Sequence, residues 1–482
     1  MSGINAAAGR VFAFALVGAL LVSGLLGAPV ALAATDAFEP NGEPLECYGP
    51  LLDGQPYTSY IWTENDVDYY RIHVLAPMHL DMHLDVPDDR HYRVALYGGY
   101  DWNYPTPDTY GSPLLTESPY GDVSWYGRDH TVSFTIQTPG TYYIKVYGVQ
   151  WLFEPTPSYS QTKTYTLTVQ GDWLSPVGRI SGEDRIETAI RVSERAFPDP
   201  ESANVAVIAT ARNFPDALAG AVLAEAWGGP LLLTDPDRLD WAVEQELNRL
   251  GVIDVYILGG TGAVGENVED QLNTDYRLAH RIAGQDRYET ASLVASAVKA
   301  RSGSPARAIL ATGEGFADAL AASPYAAARQ YPIVLTAKSS LSVSARAALQ
   351  NLGVSEVLVM GGEGAVSTIV ENQVEGMGIA VTRVAGDTRV GTAAAMAEVA
   401  VGDGFTMDRP MMATGWNFPD ALAGGALGAR TLSPLLLTDP RFLSSETEDL
   451  LVAHVTETEE ITVLGGAGAV SLAVLQDAHA LY

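Results

Sequence analysis

The sequence predicts a multidomain protein in which an all-β sandwich precedes three tandem α/β modules, each a three-layer unit with a short parallel sheet. Three observations carry this. The chain has 482 residues, room for several domains of ~100 to 200 residues each. One series of motifs recurs three times in its C-terminal part. Ahead of that series the texture changes to Tyr- and Thr-rich stretches in which apolar and polar residues alternate.

Residues 1–34 hold one basic residue, Arg10, and no acid. An apolar run from Val11 through Leu26 leads to Ala31-Leu32-Ala33, the small-residue pattern of a signal-peptidase site. The expectation is a leader over 1–34 that exports the chain and leaves it without a membrane anchor. Because the run is long for a signal core, an uncleaved anchoring helix is the competing reading. No other segment offers ~20 consecutive apolar residues.

Residues 35–172 form the expected sandwich. In "MHLDMHLDV", Leu80, Met82, Leu84 and Val86 alternate with His79, Asp81, His83 and Asp85, the period of a strand with one solvated face. The stretches "ENDVDYY" from Glu64 and "TPGTYY" from Thr138 are turn signals between strands. Cys47 is the only cysteine, so no disulfide forms within the chain and stability must come from packed cores; a buried, inert thiol is expected.

From Val177 the motifs repeat. "RISGEDRIETA" from Arg179, "RIAGQDRYETA" from Arg281 and "RVAGDTRVGTA" from Arg383 stand 102 residues apart. "NFPDALAG" from Asn213, "GFADALAA" from Gly315 and "NFPDALAG" from Asn417 keep that interval. So do "GPLLLTD", "YPIVLTA" and "SPLLLTD", whereas "ILGGTGAVG", "VMGGEGAVS" and "VLGGAGAVS" stretch the last step to 104. The expected repeats are 177–278, 279–380 and 381–482.

Within the first repeat, Ile186, Ala189, Ile190 and Ala196 fall at helical spacing and Val205 to Thr210 is a strand-length apolar run. Pro215 and Asp216 suit the first turn of a following helix. Leu231 to Thr234, Trp241 to Leu250 and Val255 to Leu258 continue as strand, helix and strand. Apolar strands alternating with helices indicate buried parallel sheets of βαβ units.

These motifs, R-[IV]-x-G-x-[DT]-R-x-x-T-A, [NG]-F-x-D-A-L-A, P-[LI]-[LV]-L-T and GG-x-GAV, closely resemble the cell wall binding repeat of type 2 of Gram-positive surface and S-layer-associated proteins. The resemblance implies a secreted cell-surface protein held noncovalently on a wall polysaccharide, an anionic secondary polymer, by three modules in a triangular pseudo-threefold arrangement. "DAFEPNG" from Asp36, "NDVDYYRIHV" from Asn65 and "GTYYIKVYG" from Gly140 resemble the bacterial pre-peptidase C-terminal domain, which implies a jelly-roll sandwich as an exposed accessory or ligand-binding domain. "YDWNYPTPDTYGSP", from Tyr100, stands as an insertion in it. Some relatives hold calcium there, which would make Glu39, Asn41, Asp66 and Asp68 its oxygen ligands. Gly42 stands where those relatives often carry an acid.

Against 28 Lys and Arg stand 58 Asp and Glu, a net charge of −30. Nucleic acid is thereby disfavoured as a partner, since binding it relies on cations that neutralise phosphate. An anionic wall polymer must then be met by local arginines or bridging cations. The candidates are Arg179, Arg281 and Arg383, Arg185, Arg287 and Arg389, with Asn213 and Asn417 and the turn glycines Gly260, Gly362 and Gly466. Guanidinium forks suit carboxylate or phosphate. The alternative is internal ion pairing with the repeated acids Asp216, Asp318 and Asp420.

Gly260, Gly262 and Gly265 also fit a dinucleotide turn, but the third glycine becomes Ser367 and Ser471 in the copies, which argues against a nucleotide. The shared Gly-Gly-x-Gly either cradles an anion or only reverses the chain. His79 and His83 are about 13 Å apart along a strand, too far to share a metal ion. No nucleophile–base set emerges, so the reading is a non-enzymatic binding protein with no required cofactor; its oligomeric state is left open, a monomer being compatible with the internal pseudo-trimer. A secreted wall-associated hydrolase or protease accessory protein is the alternative.

Overall fold

The computed structural model describes residues 47–63, 66–87, 90–98, 114–117, 129–149, 159–160, 162–172 and 174–482. The expected leader over 1–34, the candidate ligands Glu39 and Asn41, Gly42, and the insertion over 100–113 lie outside them. No helix among the described residues is long and apolar enough to cross a membrane.

Eight strands make the N-terminal part: β1 (Pro56–Ser59), β2 (Val67–Val74), β3 (Met78–Asp85), β4 (Tyr92–Tyr97), β5 (Leu114–Glu117), β6 (His130–Ile136), β7 (Gly140–Gly148) and β8 (Tyr165–Gln170). They pair antiparallel in two four-stranded sheets, ordered β1-β8-β3-β6 and β2-β7-β4-β5. One apolar core joins them, with Leu80, Met82 and Leu84 from the first sheet and Ile72, Val94 and Ile144 from the second. The outer face of β3 carries His79, Asp81, His83 and Asp85, as the alternation requires. The second sheet departs from the expected solvated face: β4 and nearly all of β2 are buried on both sides. Arg71 and His73, on the side of β2 away from the core, are covered by the third module through Glu460. Lys145 on the same face is sheltered by the Tyr69 and Tyr147 rings, at 5.6 and 5.0 Å.

The repeat region opens with β9 (Val177–Ile180) and α1 (Arg185–Ala196), then runs β10 (Val205–Thr210), α2 (Gly220–Trp227), β11 (Leu231–Thr234), α3 (Trp241–Arg249), β12 (Asp254–Leu258) and α4 (Glu266–Leu272). The second copy is β13 (Leu278–Ile282), α5 (Arg287–Ser302), β14 (Arg307–Thr312), α6 (Ala317–Arg329), β15 (Ile333–Thr336), α7 (Val343–Leu352), β16 (Glu356–Met360) and α8 (Thr368–Glu375). The third is β17 (Ala380–Val384), α9 (Arg389–Gly402), β18 (Met411–Thr414), α10 (Pro419–Thr431), β19 (Leu435–Thr438), α11 (Ser445–Ala453), β20 (Ile461–Leu464) and α12 (Leu472–His479).

The first motif is a helix-start device. Asp184 caps α1, its Oδ1 accepting from Ile186 N and Glu187 N at 2.9 Å, and Glu187 reaches back to Glu183 N at 2.7 Å. Asp286 repeats this for α5, and Thr388 caps α9 through its hydroxyl. The motif's glycine leaves room for this return: a Cβ on Gly182 would stand 2.3 Å from Glu187 Cβ. The second motif behaves less uniformly. Pro419 and Asp420 do open α10 and Asp318 lies in the first turn of α6, but Pro215 and Asp216 fall in a turn ahead of α2. There Ala217 N bonds Phe214 O and Gly220 N bonds Ala217 O, the tighter i to i+3 pattern in place of helix.

Three parallel sheets result, ordered β11-β10-β12-β13, β15-β14-β16-β17 and β19-β18-β20-β9. Sheet and repeat are out of phase. Each sheet takes its fourth strand from the start of the following repeat, and the last sheet takes β9, from the start of the first. The exchange is cyclic, so both ends of the repeat region are tied into one sheet.

The junction of the modules is built from equivalent positions. Phe214, Phe316 and Phe418 meet pairwise with ring centroids 5.5, 5.6 and 6.1 Å apart. Beneath them α2, α6 and α10 pack together. Ala221, Ser323 and Gly425 occupy one repeat position there, and a Cβ on Gly425 would lie 2.6 Å from Ala221 Cβ and 2.7 Å from Ser323 Oγ. Only the smallest side chain fits the third place.

The borrowed strand makes a prediction. Val177, fully buried in β9, when changed to Asp puts a carboxylate in an apolar site and lowers unfolding free energy by ~3 kcal/mol. Hydrogen exchange should rise in β20 more than in the equivalent strands β12 and β16, and equal protection in all three would contradict the closure.

Candidate functional site

The middle module has a cleft at the carboxyl ends of its strands, where parallel sheets place their ligands, and the motifs that wall it recur in the other two modules. Its walls are one module's Gly-Gly-x-Gly turn, the Phe-x-Asp start of its inner helix and the helix start of the next repeat. The middle cleft encloses about 580 Å³, with Phe316, Asp318, Gly362, Gly364, Arg389 and Thr392 among its lining residues.

The two glycines of each turn do different work. Gly259, Gly361 and Gly465 have φ of 94, 87 and 96°, and a Cβ there would stand 2.6, 2.4 and 2.4 Å from Oδ2 of Asp216, Asp318 and Asp420. These glycines are required by backbone conformation and by the carboxylate tucked beneath them. A Cβ on Gly260, Gly362 or Gly466, the candidate binding glycines, would meet nothing within 4 Å, so the backbone there is open to an incoming group. The amides of 260–262, 362–364 and 466–468 donate to no acceptor among the described residues. Successive free N–H groups are the donors from which backbone anion sites are made.

The repeated carboxylates belong to a cyclic relay. Gly386 N donates to Thr392 Oγ1 at 3.2 Å, and the Thr392 hydroxyl in turn bonds Asp318 of the preceding module. Gly284, Thr290 and Asp216 repeat the arrangement; in the third case Gly182 N donates to Thr188, whose hydroxyl donates to Asp184 O at 2.9 Å and also lies by Asp420. Burial raises all three carboxyl pKa values above the usual range, against the opposing pull of these hydroxyls and of Arg287, Arg389 and Arg185.

The candidate arginines divide into two sets. Arg185, Arg287 and Arg389 each donate to the carbonyl ending a strand, of Ala211 at 2.9 Å and of Gly313 and Gly415 at 2.6 Å. Their guanidinium planes lie over Phe418, Phe214 and Phe316 of the preceding module at 5.9, 6.0 and 6.0 Å. They brace the junction while edging the clefts. Arg281 and Arg383 serve the turn instead, donating to the carbonyls of Gly259 and Gly361 and pairing with Glu269 at 2.7 Å and Glu371 at 2.8 Å. Arg179 bonds the carbonyls of Gly465 and Val470. The ion pairs of Arg281 and Arg383 are therefore with Glu269 and Glu371, acids the sequence reading did not single out. Asn213 and Asn417 accept from the next residue's amide, Phe214 N at 3.0 Å and Phe418 N at 3.1 Å, and so shape the lip.

Sequence reasoning also passed over what distinguishes the three clefts. Equivalent lip positions hold Arg212, Glu314 and Trp416. Arg212 is spent on Asp235 at 2.9 Å and Asp237 at 3.4 Å, and Glu314 accepts from Lys338 N at 3.1 Å. Trp416 is half exposed, with the Arg389 guanidinium 5.2 Å from its ring.

Other candidates do not assemble. The helix behind the dinucleotide-like turn, α4, opens with Glu266 and Glu269, which would repel a phosphate. Of the four calcium candidates two are described. Asp66 accepts from Trp62 N at 2.5 Å, and the fully buried Asp68 accepts from the Tyr165 hydroxyl, itself 2.5 Å from that of Tyr70. A carboxylate engaged by a phenol in an apolar core does not fit a hard cation that needs several open oxygens. His83 and Asp85, 2.9 Å apart, converge with Asp129 into a surface cluster.

A tandem protein of like α/β modules that share strands cyclically, each with an amide-lined cleft, is thus defined. The family model for cell wall binding domain 2 matches residues 179–269, 281–371 and 383–475, more than half of the chain, and the chain belongs to that family. It is 31% identical over 298 residues to N-acetylmuramoyl-L-alanine amidase LytC of Bacillus subtilis, covering 62% of this chain and 57% of that protein. The amidase enhancer of the same organism is 32% identical over 58% of this chain and 37% of its own length. The chain thus spans about half or less of the curated relatives it matches. Among solved structures, Cwp8 from Clostridium difficile superposes with a TM-score of 0.56 at 26% identity, covering 64% of this chain and 52% of that one.

The raised acids give a pH test. A carboxyl whose pKa is higher folded than unfolded contributes stability that is complete below the unfolded value of about 3.9 and is lost as pH rises through the folded value. Asp318→Asn escapes that loss. Urea unfolding should show its stability relative to the parent climbing from pH 4 toward neutrality, and a flat difference would count against the buried carboxylate.

Proposed function

We propose that the three clefts bind an anionic wall polysaccharide and hold the protein noncovalently at the surface of the cell that exports it, without catalysis. The observation that carries this is the run of three unpaired turn amides under open space, present in every module. Arg185, Arg287 and Arg389 at the cleft edges add positive charge where the mean field of a −30 chain would repel the polymer. Three tethered sites on a repeating chain gain avidity, so each cleft works while weak. In this reading the modules stand about a pseudo-threefold axis and offer their clefts to separate stretches of polymer. The sandwich is read as a pre-peptidase-like jelly roll and serves as an accessory domain, and residues 1–34 as a cleaved leader.

The test is sedimentation of the full chain with Gram-positive cell walls before and after chemical removal of the secondary polymer. Binding lost on stripping supports the reading. Equal binding to both preparations, or to neither, sinks it.

The clefts are not equal partners. Trp416 offers a flat apolar face to a sugar ring, and Trp416→Ala should weaken wall binding about three- to tenfold, the worth of one exposed aromatic contact. Trp241→Ala, removing an exposed Trp at the start of α3, should leave it unchanged. Equal losses in the two would remove Trp416 from the site.

A further inference from the structure

A second cavity, of about 510 Å³, lies between the sandwich and the sheet that β9 closes. Its chemistry differs from the clefts. Arg71, His73 and Cys47 enter from the sandwich, Arg179 from β9, Arg191 and Arg195 from α1, and Glu460 from the loop before β20. In a chain with twice as many acids as bases, this wall is cationic.

The charges there do not balance. Glu460 is ion-paired with Arg71, lies 3.3 Å from His73 Nε2 and is the distant partner, at 3.7 Å, of Arg195. Its pKa is driven far below the ordinary carboxylate range by Arg71, His73 and Arg195, which outweigh its burial. One carboxylate therefore serves two guanidiniums. His73 does not add to the charge, because burial lowers its pKa, and Cys47 does not offset it, because burial raises its thiol. Arg191 is answered by Glu187 at 2.6 Å, with Glu194 at 3.4 Å. Among the described residues Arg195 donates no hydrogen bond, and its one ion pair there is the long one to Glu460.

The repeats sharpen the imbalance. Arg281 and Arg383 each have a glutamate, Glu269 and Glu371, and the equivalent place facing Arg179 is Leu475. Arg179 keeps its carbonyl bonds and feels Asp420 beneath the turn, but the acid on the cavity side is gone and an apolar wall replaces it. Leu472, Leu475 and Pro139 line the cavity together with these cations. Guanidiniums left short of counter-charge beside aliphatic surface suit an anion with an apolar body.

We propose that this cavity is a binding site for a small aliphatic carboxylate, its head on Arg195 and its chain against Leu472 and Leu475. The site is separate from the clefts and stands or falls independently of the polymer reading. It exists only where the sandwich meets the repeats, since the other two modules have neither Arg71 nor a leucine in place of the glutamate.

Calorimetric titration of the full chain with hexanoate, hexanamide, N-acetyl-leucine and inorganic phosphate tests it. The expected result is one saturable site for hexanoate and none for hexanamide. Arg195→Gln should lower hexanoate affinity at least tenfold, and Leu475→Trp should abolish binding by filling the cavity, with both variants unfolding cooperatively like the parent. Binding of N-acetyl-leucine above hexanoate would identify the ligand as a peptide terminus, and the reverse as a fatty carboxylate; either supports the site. No hexanoate binding, equal binding of hexanamide, tighter binding of phosphate, or unchanged affinity in Arg195→Gln overturns it.

Discussion

A strand at the edge of a sheet carries unpaired N–H and C=O groups, and these modules satisfy that need by lending strands in a circle. β13 completes the first sheet, β17 the second and β9 the third. Because each loan crosses a repeat boundary, no repeat closes its own sheet, and the edges that would invite aggregation are reduced. The loan also aims the clefts. The residue run that leaves each borrowed strand turns at once into the next helix, so its cap, its Thr hydroxyl and its Arg arrive at the neighbour's Gly-Gly-x-Gly turn.

The cleft is therefore an interface before it is a binding site. Arg389 braces Gly415 and covers Phe316, while Thr392 holds Asp318 under Gly361. The polar groups one would first assign to ligand are largely consumed in holding two modules together. What they leave open is the backbone of the second glycine and its two successors, together with a partly exposed guanidinium edge. The structural reading of the arginines is visible in these bonds and ring contacts, and the same residues edge the middle cleft.

Much of this was legible in the sequence because triplication made it so. Strands Val205–Thr210 and Leu231–Thr234 follow directly from apolar runs, and helix α1 from its spacing. The phase of the sheets was not legible: β9, β13 and β17 are short, the latter two are partly exposed, and nothing local tells a strand which repeat it will join. Nor does repetition separate Gly259 from Gly260, since both recur in every copy and only backbone conformation distinguishes them. Repetition also hid what is unique. Trp416 and Leu475 differ from their counterparts, and an eye searching for sameness passes over them. The buried outer face of β2 was missed for a related reason, because alternating Arg71 and His73 read as solvated until Glu460 is placed against them.

The strand β9 and its partner β20 are separated in sequence by almost the whole repeat region. Closing so long a loop is unfavourable in entropy, though the penalty grows only slowly with length. The larger consequence is one of timing. A chain that emerges from its N-terminus presents β9 and the cationic face of β2 long before Glu460 and β20 exist to cover them. Until the last residues arrive, the third sheet lacks its edge and the sandwich lacks its floor. Completion of the sandwich contact and of the ring is thus a single late event, set by the arrival of Glu460 and β20.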